Sequence, residues 1–415
     1  MRDVAAMLAK LEPQPPIEIE RVRVSRAGSG PVTERWTWTR EIEVQDKRQF
    51  SRLTVYRMGR DRRFQPQTGE SVLMEVTCRT VGGLALLRPS RKLPEIIAGV
   101  LGRALELSPL EICGLSFVSN HYHALLYADS QQAISRFMAH VQCNLAKEVG
   151  RHVGWKGSLW SRRYDGIIVS REPEAQWARL AYVLANGTKE GLVESPLEWP
   201  GLHAARYLIT GEPIIGYWLN RTREWAATRR GEDFGTYDYA TRYEIPLAPL
   251  PCARQLSPDE YQNEVIKLIA KIQDDCARAR DGRPVAGVDA VMKQNPFERP
   301  TAKRPKRSPK PRFHVASKEA LDELEAEFAE FNVLYDMASE ALRSGYLSAA
   351  QRFPPGCFPP ALAFIGAPPP PRPPRPPTRT ITVLESGVVE KGPIPVIVIP
   401  KRWQSVEPRA RGQPP

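Results

Sequence analysis

Between residues 72 and 186 the spacing of apolar side chains switches repeatedly between the strand period of two and the helix period of about 3.6. The order of those switches is restrictive. Val72 to Thr80 reads as a strand, and Leu93 to Leu107 as a helix with Ile96, Ile97, Val100, Leu101, Ala104 and Leu105 on one face. Ile112 to Val118 reads as a strand, Ser119 and Asn120 as a tight turn, and His121 to Ala128 as a third strand. Ser130 suits a helix N-cap, opening a helix to about Gly150 with Ile134, Phe137, Met138, Val141, Leu145 and Val149 buried. Tyr164 to Ser170 completes the strands, and Glu172 to Asn186 forms a further helix that Gly187 ends. The order β-α-β-β-α-β-α predicts an α+β, ferredoxin-like split βαβ domain. Its central hairpin lies mid-sheet, where the last helix can pack across it.

That hairpin carries His121 and His123. Residues two apart on a strand point the same way, so the two imidazoles can jointly hold a divalent cation. The chain has 6 histidines, which makes the pairing hard to ascribe to composition. On the last helix Tyr182 and Asn186 are one turn apart on one face. The Asn186 amide oxygen suits a third, hard ligand. The Tyr182 phenol would then lie where it could attack a phosphodiester polarised by that metal.

Composition narrows the partner. The formal net charge is +12, and the charge balance favours a polyanion, nucleic acid first. No run approaches the roughly 20 apolar residues of a membrane span. The N-terminal residues are too charged for a secretory signal. The 6 cysteines are scattered without a CxxC pair, which indicates neither a zinc knuckle nor a disulfide framework. Together these predict a reduced, cytoplasmic, nucleoid-associated protein. No phosphate-binding GxxxxGK[ST] loop occurs, so no nucleotide cofactor is expected.

Outside this domain the signals are sparser. Residues 1–70 read as a basic, poorly structured arm containing Arg57, Arg60, Arg62 and Arg63, and 206–295 as a helical accessory region. Within the latter, Ser257-Pro258-Asp259-Glu260 is a capping-box signature for a helix to about Arg280. Residues 296–316 are a basic linker, and 317–345 an amphipathic helix with Leu321, Leu324, Phe328, Phe331, Leu334, Ala338 and Leu342 on one stripe. Residues 346–415 form a proline-rich tail, extended and without a core; the chain has 40 prolines in all. The helix and tail suggest partner docking.

Taken in order, the motifs match a known pattern. Asn120-His121-Tyr122-His123-Ala124-Leu125-Leu126 resembles the His-hydrophobic-His signature of single-tyrosine HUH transposases, and Tyr182 to Asn186 resembles their catalytic helix. The segment from Gly157 to Ile168 is similar to the one preceding that helix in REP-associated tyrosine transposases, of the IS200-like superfamily. Glu190 to Val193 and Trp199-Pro200 resemble the stretch on the C-terminal side of that helix in the same family. The resemblance spans residues 72 to 205. It implies a metal-dependent nuclease and strand transferase acting on single-stranded DNA beside a hairpin, with Mg²⁺ or Mn²⁺ as cofactor. His121, His123 and Asn186 would be the ligands, and Tyr182 the nucleophile that forms a 5′-phosphotyrosine and frees a 3′-OH. Arg162 and Arg163, flanked by Trp160 and Tyr164, are candidate DNA contacts, as are Arg79 and Arg88.

Two positions depart from the family pattern: Gly187 and Ser119 stand where proline is common. A domesticated DNA-binding protein that no longer cleaves is the alternative reading, although the intact set of four residues argues against it. A small-substrate metal hydrolase is the third, and no nearby carboxylate motif completes its ligand set. A monomer would use its own Tyr182 helix, whereas a homodimer could exchange it.

Overall fold

The computed structural model describes residues 64–66, 71–299, 311–343, 353–354 and 357, together with the backbone of 18–23, 32–37 and 396–398. The chain divides into two units, one of residues 64–328 with 369–415, the other of 1–63 with 329–368. The smaller unit contains an antiparallel pair, β1 (Glu18–Arg23) and β2 (Val32–Thr37), in the arm expected to be unstructured. Isoleucine, valine and tryptophan on these segments supply the β-prone residues that an Arg-rich composition hides. Arg57, Arg60, Arg62 and Arg63 lie outside the described residues.

In the larger unit the elements follow the expected order: β3 (Val72–Arg79), α1 (Leu93–Leu107), β4 (Glu111–Val118), β5 (His121–Ala128), α2 (Gln131–Val153), β6 (Asp165–Val169) and α3 (Pro173–Leu184). Then come α4 (Ala204–Thr210), β7 (Ile214–Leu219), α5 (Arg221–Arg229), β8 (Ala240–Ile245), α6 (Pro258–Arg280) and α7 (Val288–Lys293). β9 (Phe313–His314), α8 (Lys318–Arg343) and β10 (Val396–Val398) complete the chain.

The main sheet has the order β4-β5-β3-β6-β9. Each of its first four strands is antiparallel to its neighbours among them, with the hairpin strand β5 between β3 and β4. This is the split βαβ arrangement that the period switches predict. β9 was not expected. It adds to β6 in parallel from within the supposed linker, where Phe313 packs against Phe64 and Phe328.

Strand register assigns the two faces. Tyr122 looks one way, beside Phe117 and Cys78, and α2 covers that face, with Gln142 Nε2 donating to the Tyr122 hydroxyl. All six apolar residues expected on the inner side of α2 are buried, and the Ser130 side chain caps the helix by accepting from Ala133 N. His121, His123, Glu75, Thr77 and Arg79 share the opposite face. There α3 packs, its Leu180 side chain so close to Gly114 that a Cβ would stand 2.8 Å away.

The accessory region is not purely helical. β7 and β8 form an antiparallel pair, extended by β10 in parallel, and this sheet packs on α1. The contact is made at glycines: a Cβ on Gly99 would meet the Tyr217 carbonyl oxygen at 2.0 Å, and one on Gly102 the Tyr243 ring at 2.4 Å. Glycines inside a helix lower its intrinsic stability by roughly 1 kcal/mol each, which this backbone-to-backbone approach explains. The capping box of α6 is present in full. On α8, Phe328, Phe331 and Ala338 are buried as expected but Leu334 is exposed, and the Leu342 side chain lies outside the described residues. The proline-rich tail also lies largely outside them. Among the described residues no helix is long and apolar enough to cross a membrane.

Candidate metal and tyrosine site

β5 presents His121 and His123 side by side, ring centroids 5.0 Å apart and nearly perpendicular. Each has one ring nitrogen anchored. His121 Nδ1 is 2.7 Å from Asn120 Oδ1 in the hairpin turn, and His123 Nδ1 is 2.5 Å from Glu75 Oε1 on the neighbouring strand. Metal-binding histidines characteristically use this second hydrogen bond to fix tautomer and ring orientation, leaving Nε2 free. Burial pushes the His121 pKa down to about 3, with the neighbouring His123, Arg79 and Lys189 adding to the effect. Its imidazole is therefore neutral at physiological pH, the form that donates to a metal.

Glu75 is the centre of this anchoring. It is wholly buried, yet its pKa is lowered: burial raises it, and the His123 and Arg179 interactions outweigh that. Arg179, on α3, closes the ion pair from above the sheet. A buried carboxylate between a cation and an imidazole is stable only because both partners are present.

α3 ends two residues earlier than the apolar pattern predicts, at Leu184, so Asn186 stands just beyond the helix rather than on its face. Its Nδ2 donates to the Tyr182 and Val183 carbonyls at 2.9 and 3.0 Å, satisfying acceptors that the helix end leaves free. Asn186 is buried, and its Oδ1 has no hydrogen-bond partner. That oxygen faces His121 closely enough to favour the protonated ring. Gly187 follows at φ +92°, a conformation closed to proline, and a Cβ there would meet Trp199 at 2.8 Å. The departure from the family's proline is thus a different turn, held by Trp199, whose Nε1 donates to the Phe117 carbonyl.

Tyr182 sits one helical turn before Asn186, its ring 5.5 Å from His123 of the same chain and edge-on to it. The side chain is 41 % exposed. Lys189 Nζ stands 3.6 Å from the ring centroid and the Arg179 guanidinium 4.6 Å. Cation–π contacts of this kind are worth about 0.5–2 kcal/mol each. Burial, then the Glu75 charge, raises the Tyr182 pKa, so the phenol is protonated at rest. Burial lowers the Lys189 pKa.

The structure therefore brings His121, His123, Asn186 and Tyr182 together. Among the described residues no group of three or more His, Cys, Asp and Glu side chains is placed to hold a metal; beside the two histidines stands the orphaned Asn186 oxygen. Two imidazoles and an amide oxygen form a mixed N/O set compatible with several divalent cations.

The expected DNA contacts divide. Arg79 is exposed, directly opposite His121 in the β3–β5 register. Arg162 and Arg163 are exposed in the loop entering β6, at the same end of the sheet; Arg162 is paired with Asp165 at 2.6 Å. Arg88 is partly buried and donates to the Gln294 carbonyl, a structural role. Trp160, half-buried, and Tyr164 both engage the α2 side. Trp160 donates to the Gln142 carbonyl with its ring edge against Tyr122, and Tyr164 is buried with its hydroxyl toward Ser135 on α2. Aromatic residues beside arginines here pack inward because α2 offers them a core.

Glu75, Arg179 and Lys189 were not singled out from sequence. A lone acid inside the apolar run Val72–Cys78 was the available signal for Glu75, and Arg179 lies one turn before Tyr182.

No family model matches the chain, and no curated protein does. Among solved structures it is similar to a REP-associated tyrosine transposase bound to a REP hairpin, at 16 % identity and a TM-score of 0.30, over 37 % of this chain and 86 % of that one. It is also similar to a protein of Deinococcus radiodurans R1 described as a transposase, at 20 % identity and a TM-score of 0.22, over 29 % of this chain and 94 % of that one. The chain is thus similar in structure, over about a third of its length, to two proteins described as transposases.

Proposed function

We propose that this protein cleaves and rejoins single-stranded, hairpin-flanked DNA through a covalent phosphotyrosine, as a transposase does. One observation carries the reading: the buried, unpartnered Asn186 oxygen and two imidazoles anchored through their other nitrogens converge beside the Tyr182 ring.

His121, His123 and Asn186 Oδ1 would hold a divalent cation, Mg²⁺ or Mn²⁺, which would supply charge to polarise a phosphodiester oxygen. The chain's own groups do the rest. Arg79 and Lys189, both beside His121, carry positive charge to meet a phosphate. Lys189 and Arg179 both stand against the Tyr182 ring and restrain the direction of its phenol. The Tyr182 oxygen attacks phosphorus and gives up its proton to solvent. The bond to the 3′ oxygen breaks, that oxygen takes up a proton, and the 5′ phosphate stays on the tyrosine. The reverse attack by a 3′-OH rejoins strands without a nucleotide cofactor, because the phosphodiester is conserved as an ester.

The test is incubation of the protein and its Tyr182→Phe variant with labelled DNA hairpins carrying single-stranded extensions, with Mg²⁺ or Mn²⁺. A covalent adduct on a denaturing gel, lost in the variant and on chelation, is the expected result. Tight hairpin binding with no adduct under either cation would refute cleavage and leave the non-cleaving DNA-binding protein.

A further inference from the structure

The unit formed by β7, α5 and β8 lies on α1, away from the histidine face of the main sheet, and neither the metal site nor the tyrosine uses it. Its helix is chemically unusual. Residues 221–230 contain four arginines and one glutamate, and Ala227 is the one residue α5 buries. Arg221, Trp225 and Arg229 follow at i, i+4 and i+8 and so form one stripe. Trp225 is 60 % exposed, with the Arg229 guanidinium 4.9 Å from its ring.

The stripe runs into a cleft of about 290 Å³ between α1, α2 and β7. Arg221 lines it, with Lys92, Arg151 and His152 on the α1 and α2 side and Tyr217 and Tyr237 opposite, ring centroids 4.7 Å apart. At its base the buried Glu148 carboxylate accepts from both Arg151 and Arg221, the latter at 2.6 Å. It thereby fixes two guanidinium groups side by side. Each guanidinium has five N–H donors; Arg221 gives two to Glu148 and one to Glu224, and Arg151 gives one to Glu148, which leaves two on Arg221 and four on Arg151.

We infer that this stripe and cleft form a second nucleic-acid contact, taking an unpaired segment of the DNA whose hairpin is engaged at the active face. The inference rests on the proposed reading that DNA is the substrate. Alternating arginines and an exposed indole suit a single strand: phosphates meet the guanidinium groups, and an unpaired base stacks on Trp225. A duplex offers no free base face to the ring.

The experiment measures equilibrium binding by fluorescence anisotropy in the Tyr182→Phe background, which removes covalent capture. Blunt hairpins are compared with hairpins bearing single-stranded extensions. Trp225→Ala is expected to weaken binding of the extended hairpin about tenfold and leave the blunt one unchanged. Arg229→Gln is expected to lower the salt dependence on the extended hairpin by about one ion. Trp225 is exposed, so the melting temperature should stay that of the parent. Unchanged affinity for the extended hairpin, or an equal loss on both DNAs, would overturn the inference. No binding of either DNA by the parent would overturn the DNA reading of the active face as well, and the two failures are thereby told apart.

Discussion

Removing the Glu75 carboxylate separates what holds the fold from what orients the histidines. Glu75 is fully buried, and its partners' side chains are 9 % exposed for Arg179 and 7 % for His123. Replacing it with leucine leaves the Arg179 charge without a counter-ion in a dry site, at a cost of about 3–5 kcal/mol. That range corresponds to about 150- to 4,000-fold in the folding equilibrium. Glu75→Leu combined with Arg179→Met removes both charges and fills the space, and should recover most of the lost stability, since buried pairs exchange for apolar ones at little net cost. The double variant still lacks the acceptor that holds His123 Nδ1, so affinity for Mn²⁺ should stay about 10- to 100-fold below the parent's. Urea unfolding followed by tryptophan fluorescence reports the first effect, and Mn²⁺ titration by electron paramagnetic resonance the second. The reasoning is refuted if Glu75→Leu unfolds at the parent's midpoint, or if the double variant is no more stable than the single one.

Two further perturbations address other parts of the fold. Gly99→Ala places a methyl group against the Tyr217 backbone, which cannot move aside as a side chain could, and should cost about 3 kcal/mol; faster amide exchange in β7 and a lower melting temperature would show it, and parent-like values would count against the close packing on α1. His203 is buried, its Nδ1 accepts from Ala205 N at the start of α4, and burial lowers its pKa to about 4. As the pH falls below the usual histidine value the unfolded chain binds a proton that the folded chain refuses, so stability declines from about pH 6.5 to 4, by a total of about 3 kcal/mol. His203→Asn keeps a capping oxygen; its urea midpoint should vary less across that window, and an equal variation would exclude His203 as the cause.

Where one physical signal dominates, sequence and structure coincide closely. β5 spans His121 to Ala128 and α1 Leu93 to Leu107 as the apolar spacing predicts, because each buries a continuous face. The two histidines were legible for the same reason: strand geometry alone puts them together. The sequence placed Asn186 near Tyr182 but not in its observed conformation, since the helix end depends on an amide folding back onto carbonyls. Glu75 and Arg179 are 104 positions apart on a strand and a helix, and no local pattern announces that their charges will meet. β7 was missed because Tyr217, Trp218 and Leu219 are only partly covered, and β8 because its buried Ala240, Tyr243 and Ile245 do not alternate strictly. The inward packing of Trp160 and Tyr164 was equally hidden, because an aromatic beside arginines looks the same whether it faces α2 or solvent.

β9 bears on how the chain is made. The edge of β6 is covered by residues that come far along the sequence, and the Ala316 amide donates to Glu172 Oε2 across a separation of 144 residues. At translation rates of about 5–20 residues per second, that edge stays open for on the order of ten seconds after β6 has emerged. During that interval the nascent domain presents an unpaired strand edge at which other nascent chains could add. The sheet that supports Glu75 is therefore completed late in synthesis, by a segment that reads as a linker.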